Sequence, residues 1–367
     1  MFRYILSRLF LVIPTLLGIL AVNFFVIQMT PGGPVDQFIA EMEGSGSVYM
    51  ERVGSVQSDV GAVSGMASEA ADKGPGLVNG VTPEVLEAVR KLYGFDKPVG
   101  ERFVDMLVNY ATFDFGESFF KADSVSGLIL NALPVSMTLG IWSTLLIYFI
   151  SIPMGMARAM RRNSTFDVVS GTIVVTASAI PGFLFAVLLI VLFAGGSYWQ
   201  IFPLRGLHSP GWEEMALFDQ ITDYLSHVFL PVISLSIGGF AGLTLLTRNS
   251  FIDELGKQYV DLARAKGLTD KAVLWKHVFR NAMLIVISGL PGTFVSMFFA
   301  GSLLIETIFS LNGLGLLGFE ATMQRDFPVM FATLWIFTLI GLVTGIVGDL
   351  TMHWVDPRID FTSRSKA

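Results

Sequence analysis

Long apolar runs separated by short charged segments set the pattern of this chain. Residues 9–27, 133–157, 168–194, 229–246, 283–305 and 330–350 are nearly continuous stretches of apolar side chains. Each is close to the roughly 20 residues that a helix needs to cross a hydrocarbon core. Prolines and glycines interrupt several of them, which neighbouring helices in a bundle accommodate. The pattern predicts six membrane-crossing helices. The first run follows Arg3 and Arg8, as a signal peptide would, but it is longer than a signal's apolar region and leads into Gln28-Met29-Thr30-Pro31-Gly32-Gly33-Pro34 rather than a small-x-small cleavage site. It reads as a retained span.

Between the first and second runs the chain is polar. Residues 44–80 carry 8 Gly and 6 Ser without a sustained period, too little apolar surface to offset the cost of ordering. Two short helices are expected after this loop. One starts at Thr82-Pro83-Glu84, with proline at its first position, and stops at Gly94. The second runs from Pro98 to about Thr112 and carries Val99, Phe103, Leu107 and Tyr110. The expected layout is a first helix over 1–30, an extramembrane segment over 31–127, and a five-helix core over 128–367.

The polar interruption between the fourth and fifth runs has its own order. In 259–281, YVDLARAKGLTDKAVLWKHVFRN, the residues Tyr259, Leu262, Ala263 and Lys266 recur at i, i+3, i+4 and i+7. Gly267 can end that helix in a left-handed conformation, and Thr269 can cap the next one, which places Leu274 and Val278 on one stripe. Two helices joined by a glycine turn make a docking surface; an ordinary solvated loop is the alternative reading.

Composition agrees with the span count. The 367 residues are 53% hydrophobic and 15% charged, with mean hydropathy +0.64, well under the charged fraction of about a quarter in soluble domains. The charges also segregate. With the N-terminus inside, the inner segments hold 15 Lys and Arg and the two short outer loops one each, Arg205 and Arg325, which predicts cytoplasmic termini. The 251–282 element then lies in the cytoplasm and 31–127 outside. Asn163-Ser164-Thr165 matches a glycosylation sequon but falls on the inner side.

Chemistry-bearing motifs are sparse. Zero cysteines exclude disulfides and a thiol nucleophile, and His208, His227, His277 and His353 lack metal-ligand spacing. No GxxxxGK[ST] run is present, so the chain does not bind nucleotide by that device, and no GxSxG appears. Catalytic, cofactor and metal sites are accordingly expected to be none, and the basic charge, being sorted by side of the membrane, does not point to nucleic acid. Gly238/Gly242 and Gly341/Gly345 put small residues one turn apart, suited to close helix approach either within the chain or between subunits. Glu306 and Asp349 lie near span ends and read as solvated or interfacial carboxylates, with a functional role the rival reading.

The residues Asp261-Leu262-Ala263-Arg264-Ala265-Lys266-Gly267, followed by His277-Val278-Phe279-Arg280-Asn281-Ala282, resemble the "EAA" loop of binding-protein-dependent ABC importer permeases, in the variant of the dipeptide/oligopeptide group. Asp261 stands where the motif has glutamate. The likeness extends nearly end to end, through the TPGGP after the first run, Tyr93-Gly94-Phe95-Asp96-Lys97-Pro98, Asp114-Phe115-Gly116-Glu117-Ser118, Leu133-Pro134-Val135-Ser136, Ile180-Pro181, Glu306-Thr307-Ile308-Phe309-Ser310, Gly313-Leu314-Gly315, Arg325-Asp326-Phe327-Pro328-Val329 and Val355-Asp356-Pro357-Arg358. PGGPVDQFIA, AGGSYWQIFPLRGL and LWKHVFRNAML are especially similar to a branch that takes up oligopeptides and peptide antibiotics of the microcin C type.

The resemblance implies an all-α fold of six membrane helices, the type I importer permease fold, with an outer helical insert after the first helix. It implies no catalysis in this chain, with ATP and Mg held by a cytoplasmic ABC ATPase. Asp261, Leu262, Ala263, Arg264, Ala265, Lys266, Gly267 and His277 would form the contact with that ATPase. A second homologous permease, a periplasmic peptide-binding protein, a peptide substrate and membrane lipid are the other implied partners, in a bacterial inner membrane. Another solute, such as a nickel chelate or an oligosaccharide, remains open, as does a secondary carrier or channel with no ATPase, or a membrane scaffold for a periplasmic protein.

Overall fold

The computed structural model describes residues 2–29, 97–121, 123–196, 198–296 and 302–355. The 44–80 loop, the helix expected over 82–94, the TPGGP tail and the basic residues after 356 lie outside them. In chain order the helices are α1 (Phe2–Met29), α2 (Val99–Ala111), α3 (Val125–Met160), α4 (Thr165–Ser178), α5 (Gly182–Phe193), α6 (Leu217–Leu255), α7 (Gln258–Ala265), α8 (Asp270–Val273), α9 (Phe279–Ser296), α10 (Ser302–Ile308), α11 (Leu314–Gln324) and α12 (Phe327–Val355). A π-helical turn, Leu274–Val278, joins α8 to α9. The described residues form no β-strand, only an isolated bridge between Glu117 and Ser124.

Five stretches, Leu6–Val26, Val125–Met160, Leu217–Leu255, Asp270–Thr293 and Phe327–Trp354, are long and apolar enough to cross a membrane. The 168–194 run, expected to be one straight span, is instead two helices, α4 and α5, meeting at a 91° bend. The cause is local. Pro181 has no N–H to donate, and its ring disfavours helical backbone at Ile180. Ile180 therefore closes α4 with a bond to Ala177 O (3.2 Å), and α5 starts afresh from the Pro181 carbonyl, which accepts from Phe185 N (3.1 Å). Within the 283–305 run the described residues are helical up to Ser296, in α9, and from Ser302, in α10.

The chain divides into two compact units. The larger spans Met1–Leu16, Gly127–Glu320 and Thr333–Ala367. In it, α6 is the hub, touching α4, α5, α9, α10 and the π turn. Helices α3 and α6 approach closely. A Cβ added at Gly155 would lie 2.7 Å from Thr244 O, and one at Gly239 would lie 2.5 Å from Ile147 Cδ1. The two glycine pairs singled out by spacing do not serve this purpose: Gly238, Gly242, Gly341 and Gly345 have nothing within 4 Å of a built Cβ. The reading of those pairs as seams within this chain is therefore wrong: on α6 the face that meets α3 carries Gly239, and on α12 the glycine that meets α9 is Gly348, whose added Cβ would fall on Pro291.

Among the described residues, two apolar clusters pack within this unit. One gathers Val135, Leu139, Leu189, Leu230, Ile305 and Phe309, with other residues of α3, α5, α6 and α10. The other joins Ile147, Leu243, Phe251, Val260, Ala263, Val273, Val278 and Val286, and so packs the end of α6 and the start of α9 onto the 259–281 element. Asp349, on α12, is partly exposed and pairs with Arg8 at 3.3 Å.

The smaller unit spans Leu17–Ser126 and Ala321–Ala332. Phe24 packs on Phe103 of α2, with ring centroids 5.1 Å apart. Helix α2 occupies Val99–Ala111, as the expected Pro98–Thr112 helix required, and Tyr110 is buried against Phe115. Burial pushes the Tyr110 hydroxyl above its ordinary pKa. Two sequence marks far apart in the chain meet here: the buried Asp326 accepts from Ser118 Oγ at 2.5 Å and from Phe119 N at 3.3 Å. The carboxylate thereby fixes the turn that leads into α3, where Val125 N bonds Gly116 O at 3.0 Å.

Candidate functional site

Residues 256–282 fold as a helical corner. Gly256 ends α6, Lys257 in extended backbone starts α7, and α7 stops at Lys266. Gly267 follows with φ +80°, the left-handed conformation that L side chains resist. Its N–H bonds Arg264 O at 2.9 Å and Leu268 N bonds Ala263 O at 3.3 Å, so the last carbonyls of α7 are satisfied. Thr269 Oγ1 accepts from Ala272 N at 3.4 Å and caps α8. The chain then turns through the π segment into α9.

One face of the corner is locked to the protein. Val260 is fully buried, and Ala263, Val273, Leu274 and Val278 are nearly so. The expected stripe is thus corrected: Ala263 belongs to the core with Val260, while Leu262 points outward at 57% exposure. A polar lock completes the join. Glu254, near the end of α6, accepts from Lys257 Nζ and from Tyr259 OH, both at 2.5 Å, and Tyr259 OH in turn accepts from Asn281 Nδ2 at 3.2 Å. One carboxylate thus ties α6, α7 and α9 together. Burial and the bond to Glu254 push the Tyr259 hydroxyl above its ordinary pKa, which keeps it a donor. Ser250 Oγ adds a bond to Ala282 O at 2.6 Å.

The other face is open. Asp261, Leu262, Arg264, Ala265, Lys266, Gly267 and Leu268 are exposed, and Trp275 is half exposed beside Phe279. Arg264 braces the corner through Asp270, at 3.1 Å. With all three side chains of its Asp261 and Asp270 contacts at least 45% exposed, the pairs add little stability. His277 is half buried in the π turn. Of the eight residues assigned to a contact, six share the open face; Ala263 lies in the core and His277 at the margin. Exposed leucines ringed by Lys and Arg can bind a protein surface, and nothing in the corner is arranged for bond chemistry.

A second polar cluster lies deep in the larger unit. Glu306 has no exposed surface, which overturns its reading as a solvated or interfacial carboxylate. It accepts from Ser136 Oγ at 3.1 Å and from Leu316 N at 2.7 Å, while Ser136 Oγ accepts from Leu314 N at 2.8 Å. The carboxylate faces the first-turn amides of α11, where orphan N–H groups and the helix dipole favour an anion. A Cβ at Gly313 would collide with the Glu306 carboxyl. Glu306, Ser136 and Gly313 together hold α3, α10 and α11 in one arrangement. Sequence reasoning flagged all three, and Asp326, as separate marks without joining them, and it missed Glu254, whose only hint was that it is an acid bordering an apolar run.

Residues 151–361 match the family of the binding-protein-dependent transport system inner membrane component. The chain is 54% identical over 369 residues to the inner membrane ABC transporter permease protein YejB of Escherichia coli O157:H7, covering 98% of this chain and 99% of that one. It is 52% identical to the peptidoglycan transport system permease protein YejB of Agrobacterium fabrum, with 98% and 99% covered. The oligopeptide transport system permease protein AppB of Bacillus subtilis is 31% identical, with 98% and 100% covered.

Proposed function

Because the chain belongs to the family of binding-protein-dependent transport system inner membrane components, we propose that it is the membrane permease of an ATP-driven importer of oligopeptides or peptide-like compounds. Peptide or peptidoglycan cargo is named for similar proteins at 31% and 52% identity, and microcin-type compounds fall in the same chemical class. The observation that carries the reading is the corner at 256–282, locked to α6 and α9 on one face and open on the other.

In this reading the open face, with Asp261, Leu262, Arg264, Ala265, Lys266 and Gly267, seats against a cytoplasmic ATPase that holds ATP and Mg. Ala263 and His277 support the corner from behind. Both termini lie in the cytoplasm, in keeping with the bias of Lys and Arg in the short loops. Nucleotide-driven closure of two ATPase domains moves the corner, and the Glu254 lock passes the motion to α6 and α9. Peptide delivered by a periplasmic binding protein crosses between this chain and a homologous second permease. The test is uptake of labelled oligopeptide in cells lacking this chain and regaining it, with peptide, oligosaccharide and nickel-chelate competitors. Restored uptake that only peptide competes supports the reading; competition by sugar or chelate alone overturns the cargo. Purification of the functional transporter without an ATP-binding subunit overturns the mechanism.

A further inference from the structure

At the junction of α3, α4 and α6, two arginines face one aspartate. Asp167, in the first turn of α4, is 3% exposed, and Arg158, in the last turn of α3, is 8% exposed. Arg248 of α6 donates to Asp167 through Nε at 2.8 Å and through Nη2 at 2.5 Å. Arg158 donates to Asp167 only through Nε, at 3.1 Å. Asn163 N, at 3.2 Å, also bonds Asp167. The carboxylate is thus fully used.

Neither terminal nitrogen of Arg158 has a hydrogen-bond acceptor among the described residues. Gly171 leaves the space that its guanidinium occupies, since a Cβ there would collide with Nη2. The group stands at the wall of a cavity of about 500 Å³, also lined by Arg248, Asn163, Asp167, Val168 and Val175. Asp167 is the one acid among the lining residues, so the cavity carries net positive charge. The terminal nitrogens of Arg158 keep access to the cavity, so their N–H groups are open to an acceptor there. The guanidinium fork matches an oxyanion, and a phosphate accepts two of its bonds at once.

The cavity does not end at the charges. Val168 and Val175, two helical turns apart on α4, are 62% and 59% exposed, so a cationic head leads onto an apolar wall on the outside of the helix. Arg161 and Arg162, in the turn between α3 and α4, are both exposed and add positive charge to this segment. We propose that this cavity is a binding site for one acidic phospholipid, its phosphate on Arg158 and an acyl chain along Val168 and Val175. The proposal rests on the orientation given above, which puts α4's first turn at the anionic cytoplasmic leaflet. Because Arg248 lies two turns before the end of α6, a bound headgroup would brace the helix that carries the 256–282 corner.

The test uses the assembled transporter and native mass spectrometry with phosphatidylglycerol against phosphatidylcholine. The wild type is expected to retain phosphatidylglycerol preferentially. Arg158→Gln, which leaves the Asp167–Arg248 pair in place, is expected to weaken retention about tenfold, as for loss of hydrogen bonds to a charged group. Val168→Trp, which blocks the apolar wall and leaves all three charges intact, should lose the lipid while its melting temperature without lipid stays that of the wild type. Equal retention by wild type and Arg158→Gln, or no preference for the acidic lipid, overturns the site. If inorganic phosphate in phosphatidylcholine nanodiscs stabilises the protein as much as phosphatidylglycerol does, the ligand is a free anion and the lipid assignment fails. Neither readout depends on cargo, and an epitope tag placing the N-terminus outside would refute the orientation separately.

Discussion

Replacing Gly267 separates the shape of the corner from what docks on it. Gly267 has φ +80° and nothing within 4 Å of a built Cβ, so within this chain a substitution meets only backbone strain. For an ordinary L residue that strain is about 1–2 kcal/mol, and less for Asn, which tolerates the left-handed region. In a protein of this size, about 1 kcal/mol moves the melting temperature by roughly 2–4 °C. Gly267→Asn and Gly267→Ala should therefore insert, melt near the wild type and keep most peptide uptake. Gly267→Glu carries the same order of strain and has open space for its side chain, yet it sets a bulky negative charge in the centre of the open face. Its expected result is loss of uptake and of substrate-stimulated ATP hydrolysis in the reconstituted complex, with melting no lower than in Gly267→Ala. Wild-type uptake in Gly267→Glu would refute docking at this face. If Gly267→Ala were as damaging as Gly267→Glu, backbone geometry alone would explain the effect.

Removing the buried Glu306 carboxylate with Glu306→Ala strands Ser136 and the Leu316 amide and should cost about 3–5 kcal/mol. Glu306→Gln, which can still accept from Leu316 N and donate to Ser136, should cost about 1 kcal/mol; thermal unfolding of the two variants checks the difference. Asp326→Ala is expected to free the 112–124 turn, at about 1–3 kcal/mol, seen as faster limited proteolysis there. Gly239→Val drives a side chain into Ile147 and should lower stability by about 1–3 kcal/mol. Gly238→Val, one residue away with open space, should leave the isolated subunit's melting unchanged, which makes the pair a sharp control.

The two-helix corner was legible because its signals are local: a glycine at the required φ, a threonine at a cap, and apolar residues at helical spacing. Its facing was less so. Spacing alone grouped Leu262 with Ala263, whereas only the packing of Val260 against Phe251 and its neighbours shows which side is inward. The bend at Pro181 was written in the chain but hidden by hydropathy, which measures apolar content and not direction. Glu306 was misread for a related reason. Its partner Ser136 lies 170 residues away, and no local pattern announces a hydroxyl that will meet it. The arginines at 158 and 248 were legible as charges flanking apolar runs, yet nothing along the chain indicates that one acid must serve both.

The π turn at 274–278 gives the corner a mechanical character. Asp270 to Leu290 is unbroken helix through that turn, a rod of roughly 30 Å before Pro291. Tilting such a rod by about 5° about one end displaces the other by close to 3 Å, half a helical pitch. The wide turn sits near the fulcrum, where an extra residue per turn loosens the hydrogen-bond ladder. In the proposed coupling, stiffness along the shaft with compliance at its root turns a small stroke at the corner into a larger one at depth.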